Sequence, residues 1–134
     1  MPAKAFIDTN IVIYALGPNS AKATLAAPLF SGHPTISTQV LSETANVVLK
    51  KLALPLSETG KLLAMLEATC RVEIVTPATI QHAIDISGRY GFSWFDSLIV
   101  ATALEAGCDT LYTEDLQHGQ MIEGRLTVTN PFSI

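Results

Sequence analysis

The stretch Ala5-Phe6-Ile7-Asp8-Thr9-Asn10-Ile11-Val12-Ile13-Tyr14-Ala15-Leu16 places a short apolar run and a longer one on either side of a polar turn. An apolar run that brief, closed by Asp-Thr-Asn, predicts a buried strand. The run after it, broken by Gly17-Pro18, predicts a helix. A strand feeding a helix through a tight turn is half of a βαβ unit, so the chain is expected to build a mainly parallel sheet. Ligands of such sheets lie beyond the carboxyl ends of the strands, and Asp8 occupies that place on the first one.

The same grammar repeats along the chain. Ala21 to Phe30 predicts an alanine-rich helix, and Thr35-Ile36 a brief strand after the loop Ser31-Gly32-His33-Pro34. Ser37 or Thr38 can cap the next helix, whose apolar positions Val40, Leu41, Val47, Val48 and Leu52 fall on one face and which should run to Leu54 before Pro55. Ser57 is expected to cap a further helix bearing Leu62, Leu63, Leu66 and Ala68, and Val72 to Val75 reads as a strand. Thr76-Pro77 opens a helix that reaches about Arg89. Ser93-Trp94-Phe95-Asp96 then has the Ser-x-x-Asp form of a capping box, and the helix it starts is apolar almost all round through Ala106, so it must be buried. Asp109 to Thr113 and Leu126 to Thr129 read as strands. The expected architecture is α/β, a three-layer α/β/α sandwich with a short central, mainly parallel sheet, in a single domain spanning residues 1–134.

Composition narrows the function classes. Eight Lys and Arg against twelve Asp and Glu give a net charge of −4, and only 15% of residues are charged while 49% are hydrophobic. Soluble domains carry about 25% charge on average. The surplus of apolar surface in a chain of 134 residues predicts a covering partner, a homodimer or a complex. No segment approaches the roughly 18 apolar residues of a membrane span, since even Leu98 to Ala106 holds Thr102 and Glu105. The N-terminus lacks the features of a secretory signal, so a cytoplasmic location is expected. Cys70 and Cys108 are isolated and read as core, and His33, His82 and His118 are too scattered for a zinc site. The acidic balance argues against tight non-specific binding of nucleic acid.

In a chain this poor in charge, acids at strand ends and helix starts need a reason. Asp8 ends the first strand, Asp96 lies in the first turn of the buried helix, and Asp115 follows the strand through Thr113. Glu43, early in an amphipathic helix, can reach the same rim. Read singly, Asp96 completes a cap, Asp115 sits in a turn, Asp8 starts a helix and Glu43 is a solvated helix position. Read together, those explanations require independent coincidences at three element ends. Four converging carboxylates repel one another unless a cation neutralises them, and a hard divalent ion, Mg²⁺ or Mn²⁺, suits oxygen ligands. Such a site can polarise a phosphodiester and acidify a water for in-line attack. His118 near the acidic rim is a candidate to touch such a substrate, and Arg89 ahead of the Gly91-Phe92-Ser93 loop and Lys50-Lys51 are candidates to contact its phosphates. Trp94 and Phe95 can stack on bases if exposed, but beside a buried helix they read as core.

Four segments, Phe6-Ile7-Asp8-Thr9-Asn10, Ile36-Ser37-Thr38-Gln39-Val40-Leu41-Ser42-Glu43, Trp94-Phe95-Asp96-Ser97-Leu98-Ile99-Val100-Ala101 and Leu111-Tyr112-Thr113-Glu114-Asp115-Leu116, resemble the PIN-domain ribonucleases, in that family's order and across essentially the whole chain. The stretch Thr113 to Gly119, with Asn130-Pro131-Phe132 after it, is similar in particular to the VapC-type toxins of bacterial type II toxin–antitoxin pairs. The resemblance implies that Asp8, Glu43, Asp96 and Asp115 form an acidic quartet binding Mg²⁺ or Mn²⁺. It also implies that Asn10 and Thr113 orient carboxylates or waters beside the site, and that Glu114 is an additional acid. The function implied is a metal-dependent endoribonuclease, a toxin with a cognate antitoxin, hydrolysing a phosphodiester in a structured RNA such as tRNA or rRNA. Two alternatives stand beside it. One is a non-catalytic RNA-binding or scaffold protein of the PIN fold. The other is an acidic-pocket phosphoacceptor domain, which expects paired acids after the first strand and a lysine beyond a late strand, neither of which is present.

Overall fold

In the computed structural model, which describes residues 4–133, six short strands form one sheet. They are β1 (Ala5–Ile7), β2 (Thr35–Ser37), β3 (Arg71–Glu73), β4 (Thr110–Tyr112), β5 (Met121–Ile122) and β6 (Leu126–Thr129). Their spatial order is β3-β2-β1-β4-β6-β5. All pairings are parallel except that of β5 with β6. Six helices connect them: α1 (Thr9–Leu16), α2 (Ala21–Ala26), α3 (Thr38–Lys50), α4 (Leu56–Thr69), α5 (Pro77–Tyr90) and α6 (Trp94–Glu105).

The strand order dictates the layers. The chain steps outward from β1 to β2 to β3 and then returns to β4 on the other side of β1. Right-handed crossovers put the helices of outward and returning steps on opposite faces. The helix contacts agree, since α1 packs on α2 and α3, α3 on α4, and α5 on α6. The result is a three-layer α/β/α sandwich. The direction of winding reverses between β1 and β4, which opens the crevice where sheets of this kind hold ligands.

The strands bury Phe6, Ile7, Ile36, Leu111 and Val128 against Ile11, Val12, Val40, Ile86 and Ile99 of the helices, each such side chain contributing about 1.5–3 kcal/mol. Helix α6 is buried continuously from Ser97 to Leu104, as its all-round apolarity requires. Cys70 and Cys108 are buried and unpaired, and burial pushes the Cys70 thiol up to about 11.

Several boundaries differ from the sequence expectation for local reasons. The helix expected over Ala21 to Phe30 stops at Ala26 and tightens into a 3₁₀ turn, Ala27–Phe30, at Pro28, which has no N–H to continue the α ladder. Helix α3 ends at Lys50, and Ala53 at φ 52° takes the chain away from a helical path before Leu54. Helix α4 is entered from Pro55, leaving Ser57 inside the first turn. Strand β3 occupies Arg71–Glu73, one residue earlier than read and ending before Ile74. Strand β5 was not expected at all. It pairs with β6 through a tight turn in which Glu123 and Gly124 both have positive φ.

Candidate active site

Asp8 is placed by the sheet itself. Its backbone N–H donates to the Tyr112 carbonyl at 3.0 Å, extending the β1–β4 pairing by one residue. Its carboxylate caps α1, with Oδ1 accepting from the Thr9 N–H at 2.7 Å, while Oδ2 accepts from Thr113 Oγ1 at 2.8 Å. Thr113 Oγ1 in turn accepts from the Asp115 N–H at 3.1 Å, so one buried hydroxyl joins the two strand-end acids. Asp96 arrives from the opposite layer in the first turn of α6. The Ser93 hydroxyl accepts from its N–H at 3.3 Å while its carboxylate lines the cleft. Glu43 comes from α3, held by Thr9 Oγ1 at 2.8 Å and Gln39 Nε2 at 3.4 Å.

One carboxylate oxygen from each of Asp8, Asp96 and Asp115 lies within 4.8 Å of the others. Glu43 lines the same cleft, of about 200 Å³, outside that group, and among the described residues no Lys or Arg lines it. At that spacing two ionised carboxylates repel by about 3 kcal/mol at an effective dielectric constant near 20. The site therefore needs a proton or a cation. Burial pushes the Asp8 carboxyl up to about 6, assisted by the charges of Asp115 and Asp96 and opposed by the Thr113 and Thr9 hydrogen bonds. Asp115 is raised too, first by burial and then by Asp96, Glu114 and Glu43.

A hard divalent ion fits this donor set. The ligand atoms are all carboxylate oxygens, with no sulfur or imidazole among them. All lying within 4.8 Å of one another, they are close enough for a single ion to reach all three. Asp8, Asp96 and Asp115 are the residues that could hold a divalent metal ion, with Glu43 on the wall of the same cleft.

The remaining residues singled out in the sequence divide by position. Asn10 is exposed on the cleft rim. Glu114 turns away, accepting from Tyr14 Oη at 2.8 Å and Lys22 Nζ at 2.9 Å. Arg89 is committed to Asp85 at 3.6 Å and Glu123 at 3.2 Å, apart from the cleft lining. The Nδ1 of His118 accepts from the Asn130 N–H at 3.0 Å and ties down the end of β6. Lys50 and Lys51 are exposed at the C-terminal end of α3, outside the cleft lining. Trp94 and Phe95, in the first turn of α6, are not core residues, being 37% and 61% exposed. Thr9, Gln39 and Asn46 line the cleft without having been anticipated. For two of them a signal existed, since Gln39, Glu43 and Asn46 fall at i, i+4 and i+7 on one face of α3.

Over residues 5–121 the sequence matches the PIN domain. The chain belongs to the PIN-domain family. Solved structures of similar shape agree with this PIN fold. A toxin–antitoxin complex from Klebsiella pneumoniae aligns with a TM-score of 0.73 at 21% identity, over 98% of this chain and 100% of that one. The DNA-bound VapBC of Salmonella typhimurium gives 0.71 at 18% identity, over 97% and 99%. A sarcin-ricin-loop-cleaving VapC toxin of Mycobacterium tuberculosis gives 0.68 at 22% identity, over 84% and 90%. No curated protein matches the sequence.

Proposed function

We propose that this PIN domain, acting as one unit over residues 1–134, is a Mg²⁺- or Mn²⁺-dependent endoribonuclease and the toxin of a toxin–antitoxin pair. Its substrate is a phosphodiester in a structured RNA such as tRNA or rRNA. The observation that carries the reading is the convergence of Asp8, Asp96 and Asp115, from three separate parts of the chain, in a cleft that no Lys or Arg lines among the described residues. When bound there, a divalent ion supplies electrophilic activation of the phosphodiester and acidifies a water. Asp8, Asp96 and Asp115 hold it, and Glu43 orients the attacking water. Thr113 and Thr9 fix the rotamers of Asp8 and Glu43, so the acids meet their ligand with little reorganisation. With no Lys or Arg lining the cleft, RNA selection rests on shape and bases more than on phosphate neutralisation.

Partners follow from the surface. An apolar groove of about 210 Å³ between α1, the 3₁₀ turn and α4, lined by Leu16, Phe30, Met65 and Leu66 among others, suits an antitoxin segment. The structural neighbours that are toxin–antitoxin complexes support such a partner. Ile80 and Ile84, 42% and 57% exposed one turn apart on α5, support a homodimer. No helix among the described residues is long and apolar enough to cross a membrane, and we place the reaction in the cytoplasm.

The direct test incubates purified protein with total tRNA and rRNA in Mg²⁺, in Mn²⁺ and in EDTA, beside Asp96→Asn. Discrete cleavage is expected with either ion and none with EDTA or the variant. Metal-independent cleavage, or wild-type rates from Asp96→Asn, would sink the reading.

A further inference from the structure

Phe95 is 61% exposed, although α6, on which it sits, is otherwise the most deeply buried helix of the fold. Its neighbour Asp96 reaches the acidic cleft, and Phe95 also walls an adjoining recess of about 500 Å³ together with Gln39, Ser42, Glu43 and Asn46. The two hollows share Gln39, Glu43, Asn46 and Phe95, so they are one continuous surface. A group covalently next to whatever occupies the acids meets the aromatic ring.

The wall is held in place. Gln39 Nε2 donates to the Phe95 carbonyl at 3.3 Å and to Glu43 Oε1 at 3.4 Å, which ties α3 to the first turn of α6. Its Oε1 has no hydrogen-bond partner, an acceptor left unmatched in that wall. Beyond it stand the exposed side chains of Ser42 and Asn46, a hydroxyl and an amide that can each donate and accept.

We propose that this recess receives one unpaired nucleobase adjoining the scissile phosphate, stacked on Phe95 with its edge toward Ser42 and Asn46. The inference rests on the nuclease reading above and names the feature of the RNA that the site selects. Three considerations favour this occupant. Among the described residues no Lys or Arg lines either hollow, so beyond the ion at the acids the RNA gains no phosphate contact from a protein cation there, and stacking on the exposed ring is the contact the recess offers. The partners beside the ring are uncharged hydrogen-bonding groups and one acid, which suit a base edge bearing amines better than an apolar peptide side chain. A base within a duplex has both faces covered by its neighbours, so only an unpaired one in a loop, bulge or end can lie on the ring.

The test uses a pool of RNA hairpins with a common stem and a randomised loop, in Mn²⁺. Binding is followed by anisotropy in the Asp96→Asn background, and cleavage in the protein with Asp96 intact. Phe95→Ala should weaken binding about tenfold, with the loss in cleavage falling on KM rather than kcat, and Phe95→Trp should restore both. Hairpins with an abasic site scanned through the loop should reach one position at which the parent and Phe95→Ala proteins bind alike. Equal binding by the parent and Phe95→Ala proteins at every loop position would overturn the recess whether or not the RNA is cut. So would a Phe95→Ala protein that loses only a protein partner. Normal Phe95-dependent binding without cleavage in Mn²⁺ would instead overturn the hydrolase reading and leave the base recess standing.

Discussion

Between Glu114 and Asp115 the chain passes from a compensated acid to an uncompensated one within a single residue. Burial alone would raise the Glu114 carboxyl, but the Lys22 ammonium and the Tyr14 hydroxyl bring it below the usual carboxylate range. Lys22 is itself seated over the rings of Tyr14 and Phe132, at 4.5 and 5.0 Å from their centroids. Asp115 faces Asp96 and Asp8 with no cation beside it, and its carboxyl is pushed up. The contrast extends over the molecule, since Arg71 pairs with Glu73 and Arg89 with Asp85 and Glu123. The acids of these pairs have a cation beside them, and the three that converge do not. A divalent ion would supply the missing charge.

The sharpest way to break the comparison is to neutralise each member in turn. Asp115→Asn should lower Mn²⁺-dependent RNA cleavage by more than about a hundredfold, beyond the roughly 10–100-fold cost of losing an outer partner of a metal ligand. Glu114→Gln, one residue away, should stay within a few-fold of the parent. Steady-state cleavage rates decide this, and equal losses would show that the two acids share one role.

Removing the ion turns the same contrast into a dependence on pH. Asp8 has a carboxyl near 6 in the fold against an ordinary value of 3.8. Below the lower value both folded and unfolded chains carry the proton and no penalty exists. As pH rises from about 4 to 6 the folded state binds more protons than the unfolded one, so metal-free stability falls, by about 3 kcal/mol for a shift of this size. Asp115 is shifted in the same direction and adds to the trend. Urea unfolding in EDTA between pH 4 and 7 should show the decline, and Asp8→Asn should flatten it. A metal-free protein that gained stability over that window would contradict the assignment of Asp8.

At neutral pH the lost stability should return with the ion. Mn²⁺ at 100 times its dissociation constant is expected to add about 2.7 kcal/mol by binding only the folded state. Asp8→Asn and Asp96→Asn should melt at or above the wild-type temperature in EDTA and gain little from Mn²⁺. Thermal melts of the three proteins check this, and equal Mn²⁺-induced shifts would place the ion elsewhere.

What the sequence could show of this contrast was uneven. Asp8, Asp96 and Asp115 stood out because each interrupts an apolar run at an element end, and a strand followed at once by a helix leaves little doubt about which end of the sheet they share. The Lys22–Glu114 pair was hidden, since its partners are 92 residues apart and neither interrupts a pattern. Periodicity shows that α6 is buried but not that the burial begins only at Ser97, so Trp94 and Phe95 read as core and are exposed. Strand β5 has only two residues, too few for any alternation, and exists because the turn at Glu123 and Gly124 folds it back on β6. The Ala21 to Phe30 helix was broken by a proline in plain view.

The smallest effect expected is the most informative about design. Lys22→Met keeps most of the apolar stem that lies against Tyr14 and Phe132 while removing the ammonium. Glu114 then loses the cation that holds its carboxyl down and keeps only the Tyr14 hydroxyl, so its titration midpoint should rise toward that of an uncompensated acid. Because Glu114 already contributes to raising Asp115, losing the nearby positive charge leaves the cluster more negative at neutral pH. The metal-free protein should therefore be slightly less stable than wild type. Its Mn²⁺-induced rise in melting temperature should be equal or slightly larger, since the ion now relieves more repulsion. Carboxyl-carbon NMR titration of Glu114, with melts in EDTA and in Mn²⁺, measures both. If Lys22→Met instead abolished the Mn²⁺ response, Lys22 would be part of the ion's site, and the separation between a compensated acid and an uncompensated one would not hold.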